Sequence, residues 1–196
     1  DVSYVISLIK QVYEKYYKVE HKDKTNLSCA VYGLPEIYRN KIKNAKLVAN
    51  PGCYPTAAIL ALAPLVACGL AGQGSIIIDA KSGVTGAGRK IAEDFLFAEI
   101  NVGFKAYKVN NHQHMPEIEQ ALSRLSGENV KITFVPHLLP LNRGILETIY
   151  VKKIQTKAKK KQNLLSLYRK FYKNEHFVRI REDGDLPELK DVVGTN

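Results

Sequence analysis

No apolar run in this 196-residue chain approaches the roughly 20 residues that a helix needs to cross a bilayer, so no membrane-spanning helix is expected. Cysteine is scarce and odd in number. Cys29, Cys53 and Cys68 form no disulfide framework and fall in no CxxC spacing, which excludes a stapled secreted fold and a zinc ribbon. No metal site is expected, and a reducing, cytoplasmic compartment is. No stretch reads as GxGxxG or as a Walker loop, no signal peptide opens the chain, and no internal repeat is present. Acidic residues are in the minority, 19 against 29 basic ones, for a net charge of +10. The lysines cluster only in "KKIQTKAKKKQ", 152 to 162, and no aromatic interrupts that run to stack on bases. It reads as a solvated segment between elements, and a nucleic-acid arm ranks last. A basic field still draws in anionic substrates.

What is present fits one globular domain. Hydrophobic residues make up 45%, enough to bury a core. Helical spacing is expected over 8–17, after Pro35, over 162–174, and from about Tyr54 to Val66 or Cys68, where Pro64 should kink or end the helix. "KLVAN" reads as a short strand that delivers Pro51-Gly52. "IIIDA" reads as an apolar strand before a glycine-rich loop, and "IAEDFLFAEI" as a short helix. "GFKAYKV", "VKITFVPHLLP", "LNRGILETIYVKKI" (with a Gly break after Arg143) and "HFVRIRE" read as further strands. A helix is expected from Pro116. Strands in succession with helices between them predict an α+β domain, a mixed, largely antiparallel sheet with helices on one face.

"NPGCYPTAAILALAPLV" places Cys53 just after Pro-Gly at the start of an apolar helix. Unpaired N–H groups and the helix dipole there favour a thiolate, which predicts a lowered pKa and faster alkylation than at Cys29 or Cys68. The alternative is a structural cysteine. Those N–H groups, with Asn50, are candidates to hold an oxyanion. A thiolate catalyst needs an acid/base, and His112 and His114 in "NNHQHMPEIEQ" are the candidates, with Glu117 able to fix a tautomer. His137 reads as a buried strand end. "KSGVTGAGRK" offers an anion cradle: N–H groups of Gly83, Gly86 and Gly88, hydroxyls of Ser82 and Thr85, and Arg89. Arg143 in "PLNRG" could clamp a carboxylate. A plain tight loop and a surface ion pair are the alternatives.

"VANPGCYPTAAILALAP" resembles the active-site signature of the N-acetyl-γ-glutamyl-phosphate reductases, relatives of aspartate-semialdehyde dehydrogenase. "YEKYYKVEH", "VYGLPEIYR", "DAKSGVTGAGRK", "NHQHMPEIEQ", "FVPHLLPLNRGILETIYV" and "LKDVVGTN" resemble further blocks of that family, in order, across nearly the whole chain. The resemblance implies NADPH-dependent reduction of N-acetyl-γ-glutamyl phosphate through a Cys53 thioester, in arginine biosynthesis. It implies His112 as acid/base, with His114 second. Asn50, Ser82, Arg89, His114 and Arg143 would bind substrate, and Gly83 and Gly86 cofactor. It further implies the second-domain fold of glyceraldehyde-3-phosphate dehydrogenase-like enzymes, with residues 1–196 as a catalytic and dimerisation domain. The family's Rossmann fingerprint has no match here, and the chain reads as a piece of a longer, homo-oligomeric (dimeric or tetrameric) reductase whose cofactor binds mainly elsewhere. Two rivals are a sister reductase acting on an aspartyl or aminoadipyl phosphate, and a self-associating module without turnover.

Overall fold

The computed structural model describes residues 10–72, 74–88, 93, 96–152, 154 and 163–195. Arg89, most of the lysine run and the first half of "IAEDFLFAEI" lie outside them. In chain order the elements are α1 (Lys10–Tyr17), α2 (Lys24–Leu27), β1 (Val31–Tyr32), α3 (Pro35–Ile42), β2 (Val48–Ala49) and α4 (Cys53–Ala67). Then follow β3 (Ile76–Gly83), a 3₁₀ turn (Val84–Ala87), α5 (Phe97–Ile100), β4 (Lys105–Ala106), α6 (His114–Ser126), β5 (Ile132–Leu139), β6 (Ile145–Tyr150) and α7 (Leu164–Phe171).

The main sheet runs β4-β5-β3-β6. β3 pairs with β6 and β5 with β4 antiparallel, while the longest ladder, Ile76↔Ile132 through Gly83↔Leu139, is parallel. α6 is inserted between β3 and β5, and such a crossover is what lets two strands run the same way. Side chains alternate across β3. Ile76, Ile78 and Ala80 are buried with Phe134 of β5 and with Ile118 and Leu122 of α6. Ile77 and Tyr150, neighbours in register, are 42% and 57% exposed on the other face. The helices therefore cover one face, as expected.

α4 is apolar nearly all round and is accordingly buried along most of its length, with Tyr54, Ala58, Ile59, Leu62, Ala63 and Val66 in the core. Pro64 lies inside it and neither ends it nor leaves a bare acceptor. A proline has no N–H for the carbonyl four residues back, here Leu60. The buried Tyr172 hydroxyl, just past α7, donates to that oxygen at 2.6 Å, and Tyr168 donates to Ala61 O. Tyr172→Phe strands the Leu60 carbonyl and is expected to cost about 1–2 kcal/mol. Denaturant midpoints measure it, and a Pro64→Ala background, which restores the N–H, should shrink the cost.

Two readings change. "HFVRIRE" is no strand: residues 176–182 form turns and irregular backbone, held by Val178 N–H to Glu175 O and by Arg179 to Asp191 O. Its apolar residues lack a ladder partner, and Phe177 stays 64% exposed. "KLVAN" narrows to β2, Val48–Ala49, which pairs in parallel with β1. No helix among the described residues is long and apolar enough to cross a membrane.

Candidate active site

β2 hands the chain to Pro51 and Gly52, and Cys53 is the first residue of α4. Gly52 is the N-cap, extended at φ −67°, and its carbonyl accepts from the Thr56 N–H at 3.0 Å and from the Thr56 hydroxyl at 2.9 Å. Its N–H donates to Glu117 Oε1 at 3.0 Å, and the Tyr32 hydroxyl donates to that same oxygen at 2.6 Å. A Cβ at Gly52 would lie 2.6 Å from His114 Nε2, so only glycine lets this imidazole lie against the peptide that carries Cys53.

α6 opens two residues before the expected Pro116, which puts His114 in its first turn and Pro116 third, where a missing N–H costs nothing. The first N–H of the helix still needs an acceptor. His112 Nδ1 supplies it, 3.1 Å from His114 N. A backbone N–H can only donate, so His112 Nδ1 is bare of hydrogen and the neutral ring carries its proton on Nε2. Burial, then His114 and Lys108, lower the His112 pKa to about 3. Burial and Lys108 lower that of His114 to about 4. Both rings are therefore neutral at neutral pH. The His112 ring is held edge-on by Tyr54, Tyr107 and Phe134, and His114 Nδ1 is buried without a hydrogen-bond partner among the described residues.

Cys53 and both histidines open onto one cavity of about 470 Å³. Ser82, Gly83 and Gly86 form a second wall, and Lys105, Tyr107 and Lys108 a third. The Tyr54 and Tyr107 hydroxyls meet at 3.0 Å. The Cys53 side chain is exposed toward the cavity, yet its pKa is raised, not lowered. Burial is the largest cause. The N–H groups of Tyr54 and Cys53 act in the expected sense, but burial with the Glu147 and Glu117 carboxyls outweighs them.

The remaining residues divide. The glycine loop is not a free cradle: Gly83 N–H is spent on Gly144 O, Thr85 N–H on Asn142 O, and Gly88 N–H on Thr85 O. The Ser82 hydroxyl turns to Gly83 O and that of Thr85 to Asn142 O. Gly83 is needed because a Cβ there would sit 2.8 Å from Leu141 O. Asn50 is exposed, with Nδ2 toward Pro51 O at 3.4 Å, and lies outside the cavity walls. The exposed Arg143 brings its backbone against Gly83, but its side chain is no wall either. The cations that do face the cavity, Lys105 and Lys108, were missed. Their signal lay in "FKAYKVNN", where Lys105 and Tyr107 share a strand face and the chain then curls through left-handed Lys108 (φ 44°) and Asn110 (φ 51°). His137 is not buried in the core. It sits on the open sheet face, 3.2 Å from Asp79.

The family described as "Semialdehyde dehydrogenase, dimerisation domain" matches residues 53–196. The chain belongs to this family. Among curated relatives, the N-acetyl-gamma-glutamyl-phosphate reductase of Pelotomaculum thermopropionicum is 53% identical over 95% of this chain and 53% of its own length. That of Acetivibrio thermocellus is 51% identical over 95% and 53%. The chain thus spans about half the length of the curated relatives it matches. The crystal structure of aspartate semialdehyde dehydrogenase II from Vibrio cholerae superposes with a TM-score of 0.61 at 13% identity, covering 89% of this chain and 57% of that one. The semialdehyde dehydrogenase dimerisation-domain fold is thereby shared with a protein of quite different sequence.

Proposed function

We propose that this chain carries the nucleophile and proton-handling groups of an N-acetyl-γ-glutamyl-phosphate reductase acting in arginine biosynthesis. The observation that carries the reading is the convergence of Cys53, His112 and His114 on one lysine-bordered cavity. The likeness to relatives bearing that name supports the substrate.

The geometry supports the following chemistry. His114, whose Nε2 lies against Gly52 and whose Nδ1 has no partner among the described residues, takes the Cys53 proton. The thiolate attacks the acyl carbon, the carbon–oxygen bond to phosphate breaks, and a thioester remains. His112, its proton fixed on Nε2, donates to the oxygen that gathers charge. Lys105 and Lys108 face the departing phosphate or the substrate carboxylate. The thioester carbon would be reduced by hydride that a nicotinamide cofactor, NADPH in this reading, would supply when bound. A proton returned to the thiolate as the carbon–sulfur bond breaks then releases the semialdehyde.

The described residues fit only the nicotinamide end of that cofactor. Gly83 and Gly86 line the cavity, and a Cβ at Gly86 would crowd Ser82 Oγ at 3.2 Å, so this wall stays bare for a planar ring. The N–H groups of Gly83, Thr85 and Gly88 are already bonded, so they offer no pyrophosphate cradle. The open sheet face, with Ile77 and Tyr150 exposed around the Asp79–Lys81–His137 cluster, is the surface for a second copy of the chain. Three free cysteines suit a reducing, cytoplasmic setting.

The test is acylation. The 196-residue chain given N-acetyl-γ-glutamyl phosphate should gain one hydroxylamine-sensitive acyl group on Cys53, with no NADPH consumed. An adduct formed from aspartyl phosphate instead selects the sister reductase, and no adduct at Cys53 ends the nucleophile assignment.

A further inference from the structure

Cys53 is reached through a glycine that α6 grips from two sides. The His114 ring lies against the Gly52 Cα, and Glu117, one turn on, holds the Gly52 N–H at 3.0 Å. That carboxyl is only 3% exposed. Oε1 takes two donors, Gly52 N–H and the Tyr32 hydroxyl, while Oε2 is buried with no hydrogen-bond partner among the described residues. A carboxylate with one loaded and one bare oxygen is an incomplete arrangement. The bare oxygen wants a proton, and protonation there leaves both bonds to Oε1 intact.

We propose, resting on the reading of Cys53 as nucleophile, that Glu117 is a positioning residue with a second duty: its Oε1 anchors the Gly52 peptide to α6, and its Oε2 holds a proton while Cys53 carries the thiolate charge. The proton is exchanged with solvent, so no transfer between the two side chains is needed. One charge leaves the pocket as another enters, and the cavity never holds two anions behind one glycine.

The electrostatics agree in direction. Burial raises the Glu117 pKa to about 7, against the pull of Tyr32 and the Gly52 N–H. Its charge in turn raises the thiol of Cys53 and the phenol of Tyr17. The titratable groups facing it are Tyr17 from α1, Tyr32 from β1, Cys53 from α4 and His114 on α6 itself, with Glu147 of β6 a further neighbour of Cys53. No lysine or arginine among the described residues pairs with Glu117.

The experiment is the pH dependence of Cys53 alkylation by iodoacetamide, in the whole chain with Cys29 and Cys68 replaced by serine. In the parent protein Glu117 ionises near neutrality and holds the thiol back, so the rate should climb with pH more shallowly than for a single titrating group. Glu117→Gln keeps an oxygen for the Gly52 N–H and carries no charge. It should alkylate about three- to tenfold faster near pH 8 and follow a single-proton curve. Tyr32→Phe removes one donor to Oε1 and should shift the shallow region to higher pH, which keeps the inference testable if the glutamine variant folds poorly. A Glu117→Gln or Tyr32→Phe profile superimposable on the parent's overturns it, since a merely structural Glu117 would alter only the melting temperature. If Cys53 acylates normally but ignores both substitutions, this inference falls alone. A Cys53 that labels at no pH removes the nucleophile assignment and this inference together.

Discussion

His112→Asn and His114→Asn are each expected to lower turnover of N-acetyl-γ-glutamyl phosphate by about 100- to 10,000-fold, with KM changed far less, in the reductase proposed to carry this chain. On the proposed mechanism both rings act on the transition state, but through different atoms, and pH separates them. There His114 removes the thiol proton. Without it, raising the pH forms the thiolate directly, so the rate of His114→Asn should climb steeply on the alkaline side. His112 is locked as an Nε2–H donor by the bond its Nδ1 accepts. Alkali cannot replace a donor, so His112→Asn should stay low throughout. His137→Asn is the control. That ring lies on the open sheet face beside Asp79, away from the cavity walls, and its loss should leave the rate alone. Steady-state rates of the three variants across pH decide the matter. A nearly normal His114→Asn would remove it as the base, and rescue of His112→Asn by alkali would exchange the two roles.

The second large effect is on stability. Glu147 of β6 stands opposite Ala80, on the helix-covered side of the sheet, and neither of its carboxyl oxygens has a partner among the described residues. Burial raises its pKa to about 8. A group whose folded pKa lies above its unfolded value contributes fully below the unfolded one and loses that contribution as pH rises through the folded one. Here the loss runs from the ordinary carboxyl range up to about 8. Glu147→Gln should therefore raise the urea midpoint near pH 8.5 by an amount worth about 2–4 kcal/mol, and change it little near pH 5. Glu117, raised to about 7, adds to the same alkaline loss and should remain in that variant. The histidines act on the opposite limb. Their folded pKa values are depressed to about 3 and about 4, so their contribution is whole above the ordinary histidine range and is lost as the medium turns acid. A pH-independent effect of Glu147→Gln would mean that this carboxyl finds a partner or water in solution.

What could be read along the chain was what depends on near neighbours. Pro51-Gly52 followed by an apolar helical run marks a helix start whatever surrounds it, so Cys53 was visible as a residue at an entrance. The two histidines of "NHQH" precede a helix for the same local reason, and the apolar run "IIIDA" marked the strand whose buried face is the core. The sign of the Cys53 shift was decided elsewhere, by burial, by Glu147 and by Glu117, which bonds the Gly52 N–H from 65 positions along the chain. The tautomer of His112 turned on one hydrogen bond at the first turn of α6, which begins two residues earlier than Pro116 suggested. Arginine was the reasonable guess for an anion contact, but the ladder between β4 and β5 brings Lys105 to the cavity rim while Arg143 stays outside it. A sequence carries the local part of each free energy: propensity, capping and periodicity. Desolvation and the approach of charges from distant elements exist only once the chain is packed, and in this protein they decide how the thiol, the histidines and the buried carboxyls titrate.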